Sequence, residues 1–167
     1  ENGLISLDQL IASSQPTIKS TKSTDKQSVV SKVLKDIQTF TEENHTSKSS
    51  SETVEIWETF KSKMSEQFEI NYVVRKHYIG LKKGSKLVTA VRFLRNKLDL
   101  DINRGDILLD NSRSKGFFSF DDAKNICKEK SWKYKSGVVG NSYGIRLSKS
   151  DEIDYIVYLL KQKYETL

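Results

Sequence analysis

The sequence predicts an α+β domain, helices plus a C-terminal β-hairpin, preceded by a largely disordered N-terminal extension. Three observations carry this expectation. From about Glu52 onward, apolar residues recur at three- and four-residue steps in several segments, the pattern of helices that bury one face. After Ser131 the period drops to two: Trp132, Tyr134 and Val138 alternate with Lys133 and Lys135. Beyond a Gly/Asn-rich turn, Tyr143, Ile145 and Leu147 alternate with Gly144 and Arg146, which completes a hairpin. Residues 1–51, by contrast, are Ser/Thr/Lys-rich and interrupted by two short apolar segments, so the division expected is a flexible extension over 1–51 and a folded domain over 52–167.

In chain order, Gly3 to Ala12 gathers Leu4, Ile5, Leu7, Leu10 and Ile11, a cluster too brief to fold alone that reads as a docking peptide for a protein partner. Ser13 to Gln27 holds the only proline, Pro16, and reads as a linker because it buries too little apolar surface to offset its ordering entropy. Ser28 to Glu43 sets Val29, Val30, Val33, Leu34, Ile37 and Phe40 on one helical stripe. That stripe needs a cover, either the domain's own surface or a partner, and Val33, Ile37 and Phe40 are its candidate contacts. Asn44 to Ser51 is a second linker.

Val54, Trp57, Phe60, Met64 and Phe68 then mark an amphipathic helix with Ser50 or Ser51 as N-cap. Ile70 to Ile79 is rich in β-branched and aromatic residues and reads as a strand, and Gly80 to Gly84 as a turn. Ser85 is expected to cap a helix through Leu98, with Leu87, Val88, Val91, Leu94 and Leu98 inward and Lys86, Arg92, Arg95 and Lys97 outward. Leu100 to Gly116 mixes apolar residues with turn chemistry and reads as a short helix or extended piece. Ser119-x-x-Asp122 is a helix-start signature, so a helix is expected from Phe120 that packs Phe120, Ala123, Ile126 and Cys127 and exposes Lys124, Asn125 and Lys128. After the hairpin, Ser148-x-x-Asp151 opens a last helix with the stripe Ile153, Ile156, Val157, Leu160 and Tyr164.

The resulting order is helix, strand, helix, uncertain piece, helix, hairpin, helix. It resembles the topology of a winged-helix domain, with the segment after Ser119 as recognition helix and the hairpin as wing. Within the hairpin, Gly140 to Leu147 reads GNSYGIRL and is similar to the wing and last strand of the RFX family of winged-helix DNA-binding domains, where a GNS element leads into YGIR. The resemblance covers these eight residues and implies that they form a wing.

Charge points to the same class of ligand. The chain carries a net charge of +6, and Arg75 to Ser148 alone holds 17 Lys/Arg against 7 Asp/Glu, net +10. A field concentrated in this way suits a polyanion, because Lys and Arg neutralise phosphates and release counterions. The candidate nucleic-acid contacts are Lys82 and Lys83 in the turn, Lys124, Asn125 and Lys128 on the expected helix, and Lys133, Lys135, Asn141, Ser142 and Arg146 on the hairpin. Duplex DNA is the ligand expected if a helix enters the major groove. Asp121 and Glu129 oppose this from the same helix and shift weight to the hairpin. Trp132 and Tyr134 have the chemistry to stack on bases, but their alternation with lysines reads as core. The alternative is a winged-helix protein-interaction module within a larger assembly, docking through the N-terminal segments.

Other functions find little support. Gly80-Leu81-Lys82-Lys83-Gly84-Ser85-Lys86 is too short and wrongly ordered for a nucleotide phosphate loop. Two histidines, His45 and His77, and one cysteine, Cys127, form no zinc-ligand spacing, so neither a metal nor another cofactor is expected, and no catalytic residue is assigned. No apolar run approaches the roughly 18–20 residues of a membrane span. A lone cysteine and no visible secretory signal point to an intracellular protein, nuclear if the source is eukaryotic.

Overall fold

A computed structural model describes residues 40–167. Within them lie helix α1 (Glu42–Thr46), helix α2 (Ser51–Gln67), strands β1 (Asn71–Val74), β2 (Ile79–Lys83), β3 (Lys86–Leu94), β4 (Lys97–Ile107), β5 (Lys128–Lys133) and β6 (Val139–Leu147), a 3-10 turn (Ser150–Glu152) and helix α3 (Ile153–Glu165). The strands form one wholly antiparallel sheet in the order β1-β2-β3-β4-β6-β5. The first four strands meander, β6 lies beside β4, and β5 is an edge.

This architecture overturns the expected winged-helix-like domain. Helices do not dominate it. The segment Ser85 to Leu98, expected as a helix, forms β3 and the start of β4, joined by the two-residue loop Arg95-Asn96. Its Thr89, Val91 and Phe93 alternate as a strand requires, and Val91 pairs with Ile79 on one side and Leu100 on the other, so cross-strand packing outweighs the helical periodicity of Leu87, Val88, Val91 and Leu94. The expected turn shifts as well. Gly80 sits inside β2, and the chain reverses at Gly84-Ser85, where Gly84 adopts φ +58°, a conformation open to glycine.

The helix expected from Phe120 is also absent. Asp122 bends the backbone instead: its carboxylate accepts the Cys127 N–H at 2.7 Å, its carbonyl accepts the Asn125 N–H at 3.0 Å, and Asn125 takes φ +51°. Ser119 caps nothing; its hydroxyl accepts from Arg104 Nη2 at 3.3 Å. Phe118 and Phe120 anchor the segment, with the Phe120 ring 5.0 Å from that of Tyr143. From Lys128 the chain is strand, so the hairpin begins earlier than its aromatic residues suggest. GNSYGIRL falls within β6, paired with β4 along its length and with β5 as far as Gly144.

One sheet face carries the core. Alternate residues Leu98, Leu100 and Ile102 of β4 and Tyr143, Ile145 and Leu147 of β6 point inward, with Ile79, Leu81 and Val91 beside them. Helix α2 covers this layer with Ile56, Trp57, Phe60 and Met64, and α3 with Ile153, Ile156, Val157, Leu159 and Leu160. Helix α2 starts where the sequence places it: the Ser50 hydroxyl accepts the Thr53 N–H at 3.3 Å. Helix α1 is tied to α2 through Glu42, which accepts the Trp57 indole N–H at 2.7 Å and the Lys61 ammonium at 2.8 Å. The result is two layers, helices over one face of the sheet. No described helix is long and apolar enough to cross a membrane. Of the expected docking residues, Leu4, Ile5, Leu7, Leu10, Ile11, Val33 and Ile37 lie outside the described residues, and Phe40 is half-buried beside Asn44 and His45.

Candidate functional site

The opposite face of the sheet holds the polar partners of the same alternation. In β4, Asp99 and Asp101 point away from the core, and in β6 Ser142, Gly144 and Arg146 do so. Register brings Asp99 opposite both Arg92 of β3 and Arg146 of β6. On the edge strand β5, Lys128 pairs with Gly144, Lys130 with Ser142 and Trp132 with Gly140, which puts all three side chains on this outer face. Among the described residues, no helix covers it.

The cations differ in what they touch. Arg92 Nη2 binds Asp99 Oδ2 at 2.7 Å and Asp101 Oδ2 at 3.5 Å, and Lys130 Nζ lies 3.5 Å from Asp101 and 4.0 Å from Asp99. These four side chains form one network that holds the centre of the face. Lys97, Lys128 and Arg146 make no ion pair with any described residue. All three, with Lys130, line a groove of about 340 Å³ whose floor includes Gly144 and Asp99 and whose walls include Leu94 and Ile126. A Cβ at position 144 would collide with the Lys130 side chain, which crosses the backbone at that point. Four cations against one groove carboxylate give the site a positive field, and the unpaired ones supply phosphate contacts without first breaking an ion pair.

Farther along β5 the face turns aromatic. Trp132 lies across Gly140: a Cβ there would fall 2.6 Å from both Cζ2 and Nε1 of the indole. Its ring stands nearly perpendicular to that of Tyr134, with centroids 5.9 Å apart. Both remain open, at 42% and 43% exposure. The expectation that these two rings join the core is therefore corrected. Every residue of β5 is exposed, because the strand extends past the cover of α2 and α3. Compared with known protein families, curated proteins and solved structures, the chain has no match.

Of the residues singled out in the sequence, Lys128, Ser142 and Arg146 share this face, although Ser142 is buried and unavailable for direct contact. Lys82 is also on the outer face, but toward the β1 edge, near Arg75, Tyr78 and Leu87. Lys83 is used elsewhere. Its ammonium donates to the Tyr164 carbonyl at 3.1 Å and lies 4.4 Å from the centre of that ring. Lys124 and Asn125 sit in the bent segment, where the Lys124 ammonium is 4.5 Å over the Tyr155 ring. Lys133 and Lys135 are exposed at the hairpin end, Lys133 turned to the face opposite Trp132. Asn141 donates to the Val139 carbonyl at 3.0 Å and is half-buried.

Lys97, Lys130 and Arg92 are functional candidates that the sequence reasoning missed. For Lys130 the signal was present in the run Lys128-Glu129-Lys130-Ser131-Trp132-Lys133-Tyr134, whose odd positions carry acid, hydroxyl and cation while the even ones read Lys, Lys, Trp, Tyr. Glu129, expected to repel phosphate, is neutralised on the other face by Arg104, with Nη1 to Oε1 at 2.6 Å.

Proposed function

We propose that this domain binds nucleic acid without catalysis, through the uncovered face of its sheet. The observation that carries this reading is the convergence of Lys97, Lys128, Lys130 and Arg146 on one groove, with three of the four unpaired among the described residues. Unpaired cations on a stable protein cost repulsion energy, and a phosphate ligand relieves it. The preference for duplex DNA rested on a recognition helix after Ser119. With strand and bent segment in its place, phosphate contact is what supports the reading, and it is indifferent to sequence.

The test is binding to fluorescent oligonucleotides over a salt series. Lys97→Ala, Lys128→Ala and Arg146→Ala break no ion pair with a described residue, so the combined variant should fold normally. Each lost phosphate contact should flatten the plot of log K against log salt by about 0.7–0.9. A slope about 2 to 3 smaller is expected for the triple variant. Binding with an unchanged slope, or no binding by the parent at low salt, would remove the reading.

A further inference from the structure

We infer that the ligand of this face is a single strand, whose backbone follows the lysines of β5 and whose bases stack on Trp132 and Tyr134. The inference rests on the proposed nucleic-acid reading and adds the strand state and the stacking residues. Lys128, Lys130 and Trp132 occupy every second position of one strand and therefore stand on one face about 7 Å apart. Tyr134 continues the row, held beside the strand by its N–H to the Val138 carbonyl at 2.9 Å and by its ring contact with Trp132. The row spans about 20 Å along the edge of the sheet.

Its two halves differ in chemistry and meet without a gap. The first half lies against the groove of Lys97, Lys128, Lys130 and Arg146, and the second presents two aromatic rings. Trp132 and Tyr134, in ring contact at 42% and 43% exposure, form an adjacent pair of open aromatic surfaces rather than a single exposed ring. Base stacking uses such a pair, and it is closed to a duplex because paired bases already stack on one another. The indole rests on Gly140 and keeps 42% of its residue surface exposed. That is the geometry of a fixed platform. Adjacent cations select a polyanion over a purely apolar partner, so a nucleic-acid strand satisfies both halves where an apolar peptide satisfies one.

The experiment uses the full chain with fluorescein-labelled oligothymidine, oligouridine and a blunt DNA duplex of equal length at one ionic strength. Single strands should bind about tenfold or more tightly than the duplex, with quenching of exposed tryptophan fluorescence. Trp132→Ala should weaken single-strand binding about tenfold, abolish the quenching and leave duplex binding unchanged, while Trp132→Phe should recover most of the affinity. Oligothymidine and oligouridine distinguish DNA from RNA as the source of the strand; either satisfies the inference. Equal affinity for strand and duplex, or an unaltered single-strand affinity in Trp132→Ala, overturns it. In that event weaker binding by the Lys97/Lys128/Arg146 triple variant still supports the basic-face reading. Absence of binding by every probe at low salt removes both.

Discussion

Cys127 is half-buried beside Asp122, and the two illustrate how a single side chain decides a local conformation. Burial first, and then the facing carboxylate, push the Cys127 thiol up to about 12. Burial also works to raise the Asp122 carboxyl, but the Cys127 N–H and the Tyr155 hydroxyl, at 2.8 Å, outweigh it and hold the group below its usual range. Asp122 is therefore ionised at neutral pH and keeps the thiol protonated. At pH 8 the folded protein should react with a thiol reagent far more slowly than a free cysteine does. Asp122→Asn removes the negative charge, lowers the thiol pKa and should move the onset of labelling to lower pH. An onset that stays in place, measured on a variant with an unchanged circular dichroism spectrum, would show that burial alone sets the thiol. Such a cysteine is packing material.

Helix α1 is an element of five residues, too short to persist without its tertiary ties. Burial tends to raise the Glu42 carboxyl, but the Lys61 ammonium and the Trp57 indole N–H more than offset this and hold it below its ordinary value. A carboxyl depressed in the folded state stabilises above its unfolded pKa and loses that contribution as pH falls through its folded pKa. Glu42→Gln should thus cost about 1 kcal/mol in urea unfolding at pH 7 and less at pH 3. A gap of the same size at both pH values would mean that the ion pair with Lys61 contributes nothing. Among the longer elements, α2 was legible because Trp57, Phe60 and Met64 fit a helical stripe and no strand pattern. β3 was not, because Leu87, Val88, Val91 and Leu94 fit a helical stripe, and the partners that decide the matter, Ile79 and Leu100, are remote in the sequence or on the next strand. Leu98-Asp99-Leu100-Asp101-Ile102 did carry an unambiguous period of two, but it was divided between a helix expected to end at Leu98 and a segment from Leu100 read as a short helix or extended piece. The site suffered from the same error. A helix drawn through Lys128 broke the Lys128, Lys130, Trp132, Tyr134 row at its middle and sent the two rings into the core. The basic character of the region and the exposure of Lys128 and Arg146 survived, because local charge density does not depend on the fold that displays it.

Taken as a whole, the domain is electrically two-sided. The outer face presents Lys82, Arg92, Lys97, Lys128, Lys130 and Arg146 against Asp99 and Asp101, whereas α2, the 3-10 turn and α3 carry eight acids against four lysines. Lys63 of α2 and Asp154 of α3 pair across the helical layer, so part of that charge is spent in holding the layer together. The outer face has no such outlet for Lys97, Lys128 and Arg146, whose mutual repulsion is a standing cost. Removing them as alanines should therefore raise stability at low ionic strength, by about 1 kcal/mol, which is a shift of about 2–4 °C for a domain of this size. Because the repulsion acts through solvent, salt should screen it, and the advantage of the variant should fade as ionic strength rises from about 0.01 M to 0.15 M, where the Debye length falls to about 8 Å. Thermal melts of parent and triple variant at the two ionic strengths measure this without any ligand. A variant that melts below the parent at low salt would mean that the three cations hold the fold together, and its loss of nucleic-acid binding could then no longer be credited to lost phosphate contacts. A variant that melts higher and binds worse separates stability from binding on the same residues, as expected of a surface kept basic for its ligand.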